Sequence, residues 1–283
     1  MSRRRPFPQA RFATIAAKSA VAGTLALAAV AVLYFGSAPV TAAQTSDALA
    51  AILTKTRVQV QGFAEQFSYL RYDDDVVEAK LKNNDKVAYQ QEVVYDSLLR
   101  MSFDEGQLRV NEQRLVAKPP RKLETRPLLD TYGFSTLEMI FHPYYESSFQ
   151  FSDAGTDVQQ GHTLEKITFQ HVPNTPSPIL YQMLGPDRPL DVSGTAWVDA
   201  ATGGIYRIDA VIGSGISDVG VKSINISVAF EPITLQEQAE PELLPVSATI
   251  DLETPRQHWR NVHKFSDYRK YRVAVNMPGG ATE

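Results

Sequence analysis

The chain has 283 residues, 43% of them hydrophobic and 21% charged, with 17 prolines and no cysteine. That length holds one large domain or two small ones, with apolar residues enough for an ordinary core. The lack of cysteine excludes disulfides, thiolate metal sites, iron–sulfur clusters, thiol nucleophiles and cysteine-linked lipid anchors. A formal charge of −4 argues against nucleic acid as the main partner.

Arg3, Arg4, Arg5, Arg11 and Lys18 precede the first acidic residue, Asp47. An apolar or small run, Ala20–Phe35, leads into Ser37-Ala38-Pro39-Val40-Thr41-Ala42-Ala43. A basic start, an apolar segment and a small-residue exit are the three parts of a secretory signal, with cleavage after Ala42 or Ala43. The run of 16 residues falls short of the roughly 20 that cross a bilayer comfortably. Residues 1–43 are therefore predicted to be a signal peptide, with an uncleaved membrane anchor as the alternative, and residues 44–283 the mature domain. Cleavage removes five basic and no acidic residues, moving the formal charge from −4 to −9. Any dealings with lipid then run through apolar surface rather than charge.

Ser46-Asp47 offers an N-cap to a stripe of Leu49, Ile52, Leu53, Thr56, Val60, Phe63 and Phe67, which predicts a helix over about 47–68. Gly62 weakens its far end. Val87–Phe103 reads as a strand, Asp104-Glu105-Gly106 as a turn and Leu108–Val110 as the return. Pro119-Pro120 marks a loop. Ser135 is placed to cap a short helix over Leu137, Ile140 and Phe141 that ends before Pro143. Strands follow at Thr163–Gln170 and Ile179–Leu184. Gly194–Asp199 and Ile205–Ile212 flank the turn 200–204, whose glycines permit positive φ. Ile224, Ile226, Val228 and Phe230 alternate with small or polar residues, as do Val246, Ala248, Ile250 and Leu252. Val262–Val275 supplies the last strand. A period of two means one dry and one wet face. The fold class expected is α+β: a single, strongly curved antiparallel sheet with helices covering its concave face.

Motifs for chemistry are sparse. His142, His162, His171, His258 and His263 form no His-x-x-x-His pair, and in a strand the spacing of His258 and His263 sends them to opposite faces. Structural or surface roles are expected for all five. Asp73-Asp74-Asp75 lacks the glycine and closing glutamate of a calcium loop and reads as a solvated acidic loop. Gly213-Ser214-Gly215 is neither a dinucleotide fingerprint nor a nucleophile elbow. Basic residues from Arg256 to Arg272, with Arg121, Lys122 and Arg126, suit a mixed-charge outer sheet face. No cofactor, no metal and no enzymatic activity are expected. The aromatics are denser than the rest, with six between Phe134 and Phe151. They suit either core packing or the lining and lid of an apolar cavity.

The run Gly194-Thr195-Ala196-Trp197-Val198-Asp199-Ala200-Ala201-Thr202-Gly203-Gly204-Ile205-Tyr206-Arg207-Ile208, the strand Ile224–Phe230 and Leu243-Leu244-Pro245-Val246 resemble recurrent elements of the LolA-like, periplasmic lipoprotein-carrier superfamily. More narrowly, Gly133-Phe134-Ser135 and Phe265-Ser266-Asp267-Tyr268-Arg269-Lys270-Tyr271 are similar to segments of an exported bacterial branch of that group. The resemblance implies an unclosed half-barrel plugged by helices, with a cavity between them that holds acyl chains. It also implies a latching arginine, but Arg57 and Arg71 stand outside any matching motif.

Together these features predict an exported, non-catalytic protein of the bacterial cell envelope that binds a lipid or the acyl chain of a lipoprotein. The candidate cavity residues are Phe63, Phe67, Phe134, Phe141, Phe149, Trp197, Ile224, Ile226 and Val228. The alternative is an envelope protein-interaction or sensory module without bound lipid.

Overall fold

The computed structural model describes residues 47–82, 84–104, 106–119, 131, 133–159, 161–181, 188–213, 220–236 and 238–270. The predicted signal peptide, most of the loop after Pro119 and the chain beyond Lys270 lie outside the described residues. One helix and twelve strands follow in order: α1 (Asp47–Gln66), β1 (Tyr69–Leu81), β2 (Val87–Asp104), β3 (Gln107–Lys118), β4 (Phe149–Gln159), β5 (His162–His171), the two-residue β6 (Leu180–Tyr181) and β7 (Arg188–Pro189), β8 (Ser193–Val198), β9 (Ile205–Ile212), β10 (Ser223–Ile233), β11 (Glu242–Glu253) and β12 (His258–Lys270). Two 3₁₀ segments, Phe134–Phe141 and Pro143–Ser148, stand between β3 and β4.

Ten strands form one sheet in the order β3-β2-β1-β12-β11-β10-β9-β8-β5-β4. Every pairing is antiparallel, and β3 and β4 are the two edges, so the sheet is unclosed. These edges are consecutive strands in the chain yet nine strand spacings apart, about 43 Å measured along the sheet. The first 3₁₀ segment of the connection between them packs against β9, β10 and β11 and against α1.

The alternation of residue types decides which face is covered. Ile226, Val228 and Phe230 of β10, Ala248 and Ile250 of β11, Ile208, Ala210 and Ile212 of β9, and Ala196 and Val198 of β8 all join one buried cluster. Leu49, Leu53, Val60 and Phe63 of α1 and Leu137, Met139, Ile140 and Phe141 of the first 3₁₀ segment belong to the same cluster. The opposite face carries charge pairs: Arg207 Nε donates to Asp209 at 2.9 Å, and Arg260 Nε to Asp251 at 2.8 Å. That is the mixed-charge outer face expected from the sequence. A bulge adjusts β12, where Asp267 takes φ 52 and the β1 register shifts opposite it. The extra residue turns Tyr268 to the same side as Phe265, and Tyr72 meets both rings, at 5.3 and 5.7 Å.

Three local expectations change. Asp73-Asp74-Asp75 is not a loop but the middle of β1, because Asp74 is buried against partners from distant strands. Ser135 does not cap a helix: the N-cap is Gly133 at φ 82, and the Ser135 hydroxyl instead bonds Tyr72 Oη at 2.9 Å. The segment is 3₁₀ rather than α, since a turn this short gains little from further α-type bonds. Of the expected strand Ile179–Leu184, Leu180 and Tyr181 form β6, Ile179 precedes it without strand structure, and residues 182–184 lie outside the described residues.

Candidate functional site

Two cavities flank the C-terminal half of α1, whose helical period sends Gln61, Ala64, Glu65 and Ser68 to one side and Gln59, Val60 and Phe63 to the other. The larger has a volume of about 690 Å³. Its floor is Arg100–Phe103 of β2 with Leu108 of β3, and its far side is His142–Tyr144. Tyr69 closes one end with the Arg100 guanidinium 5.7 Å from its ring. Phe103 is 63% exposed and meets Tyr144 edge-on at 6.0 Å. His142 Nδ1 accepts the Tyr144 N–H at 3.1 Å, which caps the second 3₁₀ segment. Burial depresses the His142 pKa, with Glu65 acting in the opposite sense. Arg57 ties α1 to the same segment through Glu146 at 2.9 Å, and Arg71 pairs with Asp96.

The second cavity, of about 450 Å³, lies between α1, the β8–β9 turn, the end of β10 and residues 240–243. Glu138 of the first 3₁₀ segment forms part of its wall. This side chain is buried, and its Oε2 has no hydrogen-bond partner. Burial pushes its pKa up to about 8. Because the unfolded chain ionises this group near 4.5, its stabilising share is complete below that pH and is lost as pH rises towards 8. We expect Glu138→Gln to match the parent in denaturant midpoint near pH 4 and to exceed it near pH 8. A gap that does not change with pH would show that this carboxyl is not held neutral.

A third constellation is closed rather than open. On the covered face of β1 and β12, Asp74 accepts from His263 Nδ1 at 3.0 Å and lies 3.4 Å from Arg114 of β3. Thr131 Oγ1 is 2.8 Å from His263 Nε2 and accepts from Asn261 Nδ2 at 2.8 Å. Arg114 also donates to the Thr131 carbonyl at 2.9 Å, and the Gly133 N–H donates to Glu112 at 2.7 Å. Although aspartate, histidine and threonine stand in relay, neither cavity includes them, and the hydrogen bonds around them fasten Thr131 and Gly133 to the sheet. Among the described residues no group of three His, Asp or Glu side chains is placed to hold a metal ion.

Of the nine cavity residues predicted from sequence, Phe63 lines the second cavity. Phe67, Phe141, Phe149, Ile226 and Val228 are core residues, and Phe134 and Ile224 pack against that core half-buried. Trp197 points to the opposite face, where its indole N–H donates to Asp157 at 3.0 Å and Arg207 lies 4.9 Å over its ring. That bond holds the Asp157 carboxyl below its ordinary range. Arg100, Leu108, His142 and Glu138 line the cavities without having been named as cavity residues from the sequence. Only Glu138 left a signal, as the single charge within the apolar run Leu137–Phe141.

The class defined by these observations is an open, all-antiparallel sheet with α1 and the 3₁₀ segments against one face and two cavities beside α1. Solved structures similar to it include a LolA superfamily protein from Nitrosomonas europaea, at 8% identity and TM-score 0.37, covering 78% of this chain and 94% of that one. A DUF1329 family protein from Desulfovibrio piger matches at 10% identity and TM-score 0.38, over 82% and 95% of the two chains. A domain described as an outer membrane lipoprotein-sorting protein, from Vibrio parahaemolyticus, matches at 8% identity and TM-score 0.38, over 80% and 94%. These likenesses concern the fold alone. No family model and no curated protein matches the sequence.

Proposed function

We propose that this is an exported, non-catalytic protein of the bacterial cell envelope that binds a hydrophobic ligand, a lipid or the acyl chain of a lipoprotein, in the larger groove beside α1. The observation that carries this reading is the groove itself: about 690 Å³, walled by Met101, Phe103, Leu108, Pro143 and two tyrosines. Its size lies within the range of about 300–1,000 Å³ typical of small-ligand sites. Each methylene moved there from water contributes about 0.8 kcal/mol. Arg100 offers a charge-assisted contact to an anionic headgroup at one end. Entry of a long chain would lift the segment from Gly133 onward and bring Phe134, Phe141 and Phe149 to the ligand. Residues 1–43 would serve as the export signal.

The test is to extract the purified protein under denaturing conditions and identify bound lipids by mass spectrometry, with an unrelated exported protein as control. A stoichiometric acyl species is expected, and an empty protein that also takes up no fluorescent fatty acid would sink the reading. Phe103→Glu should weaken fatty-acid uptake at least about tenfold, or about 1.4 kcal/mol. Its unfolding midpoint should hardly move, because the ring is mostly exposed.

A second reading, a protein-interaction module, is favoured by the edge strand β3, where Leu115 and Val116 are 72% and 56% exposed. Such an edge suits an extended partner segment adding as a further strand.

A further inference from the structure

The second cavity combines features that a purely apolar ligand does not need. Glu138 lies in its wall, buried, with Oε2 lacking any hydrogen-bond partner. An anion left so would be costly, and a neutral acid leaves one polar atom unsatisfied. Glu240 and Glu242 line the same cavity, and among the described residues no lysine, arginine or histidine does. Phe63, Tyr206 and Phe230 supply aromatic surface around it.

From these we propose that the cavity between α1, the β8–β9 turn and residues 240–243 binds a hydrophobic organic cation, an ammonium group carrying an apolar body, with Glu138 as its counter-ion. Oε2 is closed off from solvent in the empty cavity, so the Glu138 side chain turns towards it for the ammonium to become the missing partner. Aromatic faces attract the same charge through their quadrupoles. Glu240 and Glu242 add attraction for a cation and repulsion for an anion, so the site selects by sign as well as by apolarity. This ligand class and this cavity are separate from the groove proposed for lipid, and either can fail without the other.

Octylammonium, octanol and octanoate share one chain length and differ in the head, so they serve as probes for titration calorimetry of the purified protein at pH 7. Octylammonium should bind at least tenfold more tightly than the other two. Among the described residues, the ionisable groups that share the cavity with Glu138 are Glu240 and Glu242, and Tyr268 of β12 lies near enough to feel its charge. None of the three is a cation that would hold Glu138 ionised beforehand. Because burial keeps this carboxyl protonated when the cavity is empty, binding should release close to one proton, read by repeating the titration in buffers of different ionisation enthalpy. Glu138→Gln should abolish both the proton release and the preference for the amine. The double variant Glu240→Gln/Glu242→Gln, at the more exposed mouth, should weaken octylammonium binding severalfold and flatten its salt dependence while leaving proton release intact. Equal affinity for octanol, absence of octylammonium binding, or a preference that survives Glu138→Gln would each overturn the proposal.

Discussion

Replacing Asp74 by alanine is expected to cost about 3–5 kcal/mol, the usual result of removing one partner from a buried charge cluster. The carboxylate accepts from His263 Nδ1 and lies beside Arg114, and all three side chains are nearly inaccessible to water. Without it, a guanidinium and an imidazole remain inside the protein with polar atoms facing methyl groups. The loss should spread along the chain, since His263 and Arg114 both hold Thr131. Thr131 and Gly133 precede the 3₁₀ segment packed between α1 and the sheet, so that segment should loosen first and exchange its amide hydrogens faster. Asp75→Ala is the control: Asp75 is exposed on the same strand, and its removal should change stability by no more than about 0.5 kcal/mol. Chemical unfolding of the two variants decides the matter. Similar midpoints would mean that the cluster contributes nothing beyond an ordinary surface charge.

Gly203→Ala should destabilise by about 3 kcal/mol, for two reasons that add. Gly203 has φ 80, where an L side chain is strained. An added Cβ would also stand 2.5 Å from the backbone of Lys55 and Thr56, so helix and turn would have to part. The turn cannot yield easily. Asp199 Oδ1 accepts the N–H groups of Ala201 and Thr202, both at 2.8 Å, and Lys55 Nζ donates to the Ala200 carbonyl at 2.8 Å. Gly106→Ala is the matched comparison: φ is 77 there, but nothing lies within 4 Å of the added carbon. Strain alone should leave that variant with the smaller loss, on the order of 1 kcal/mol. If the two losses are equal, the helix–turn contact is not tight.

The same turn accounts for the most specific stretch of the sequence. In Trp197-Val198-Asp199-Ala200-Ala201-Thr202-Gly203-Gly204, aspartate and threonine satisfy the turn's own amides and Gly203 lets α1 approach. Trp197 covers outer-face charge. Each of these residues serves the hairpin or its contact with α1, which is why the motif points to a fold more than to a ligand. The 3₁₀ segment was legible only in outline. Its apolar residues are dense enough to demand burial, yet nothing local shows that Ser135 would turn to Tyr72, 63 positions away.

By itself the sequence determined the antiparallel sheet and α1, because a two-residue period and a three-to-four-residue period are local properties of the chain. It likewise fixed a charged outer face and a chain without thiol chemistry. Only the tertiary structure decided that Asp74 lies inside, that β1 pairs with β12 and so joins the first and last strands, and that the first 3₁₀ segment delivers Glu138 to a cavity wall. These depend on partners 40 to 189 positions apart, such as Asp74 with Arg114 and with His263. A buried charge is tolerated only where such partners converge, and no window of sequence contains them.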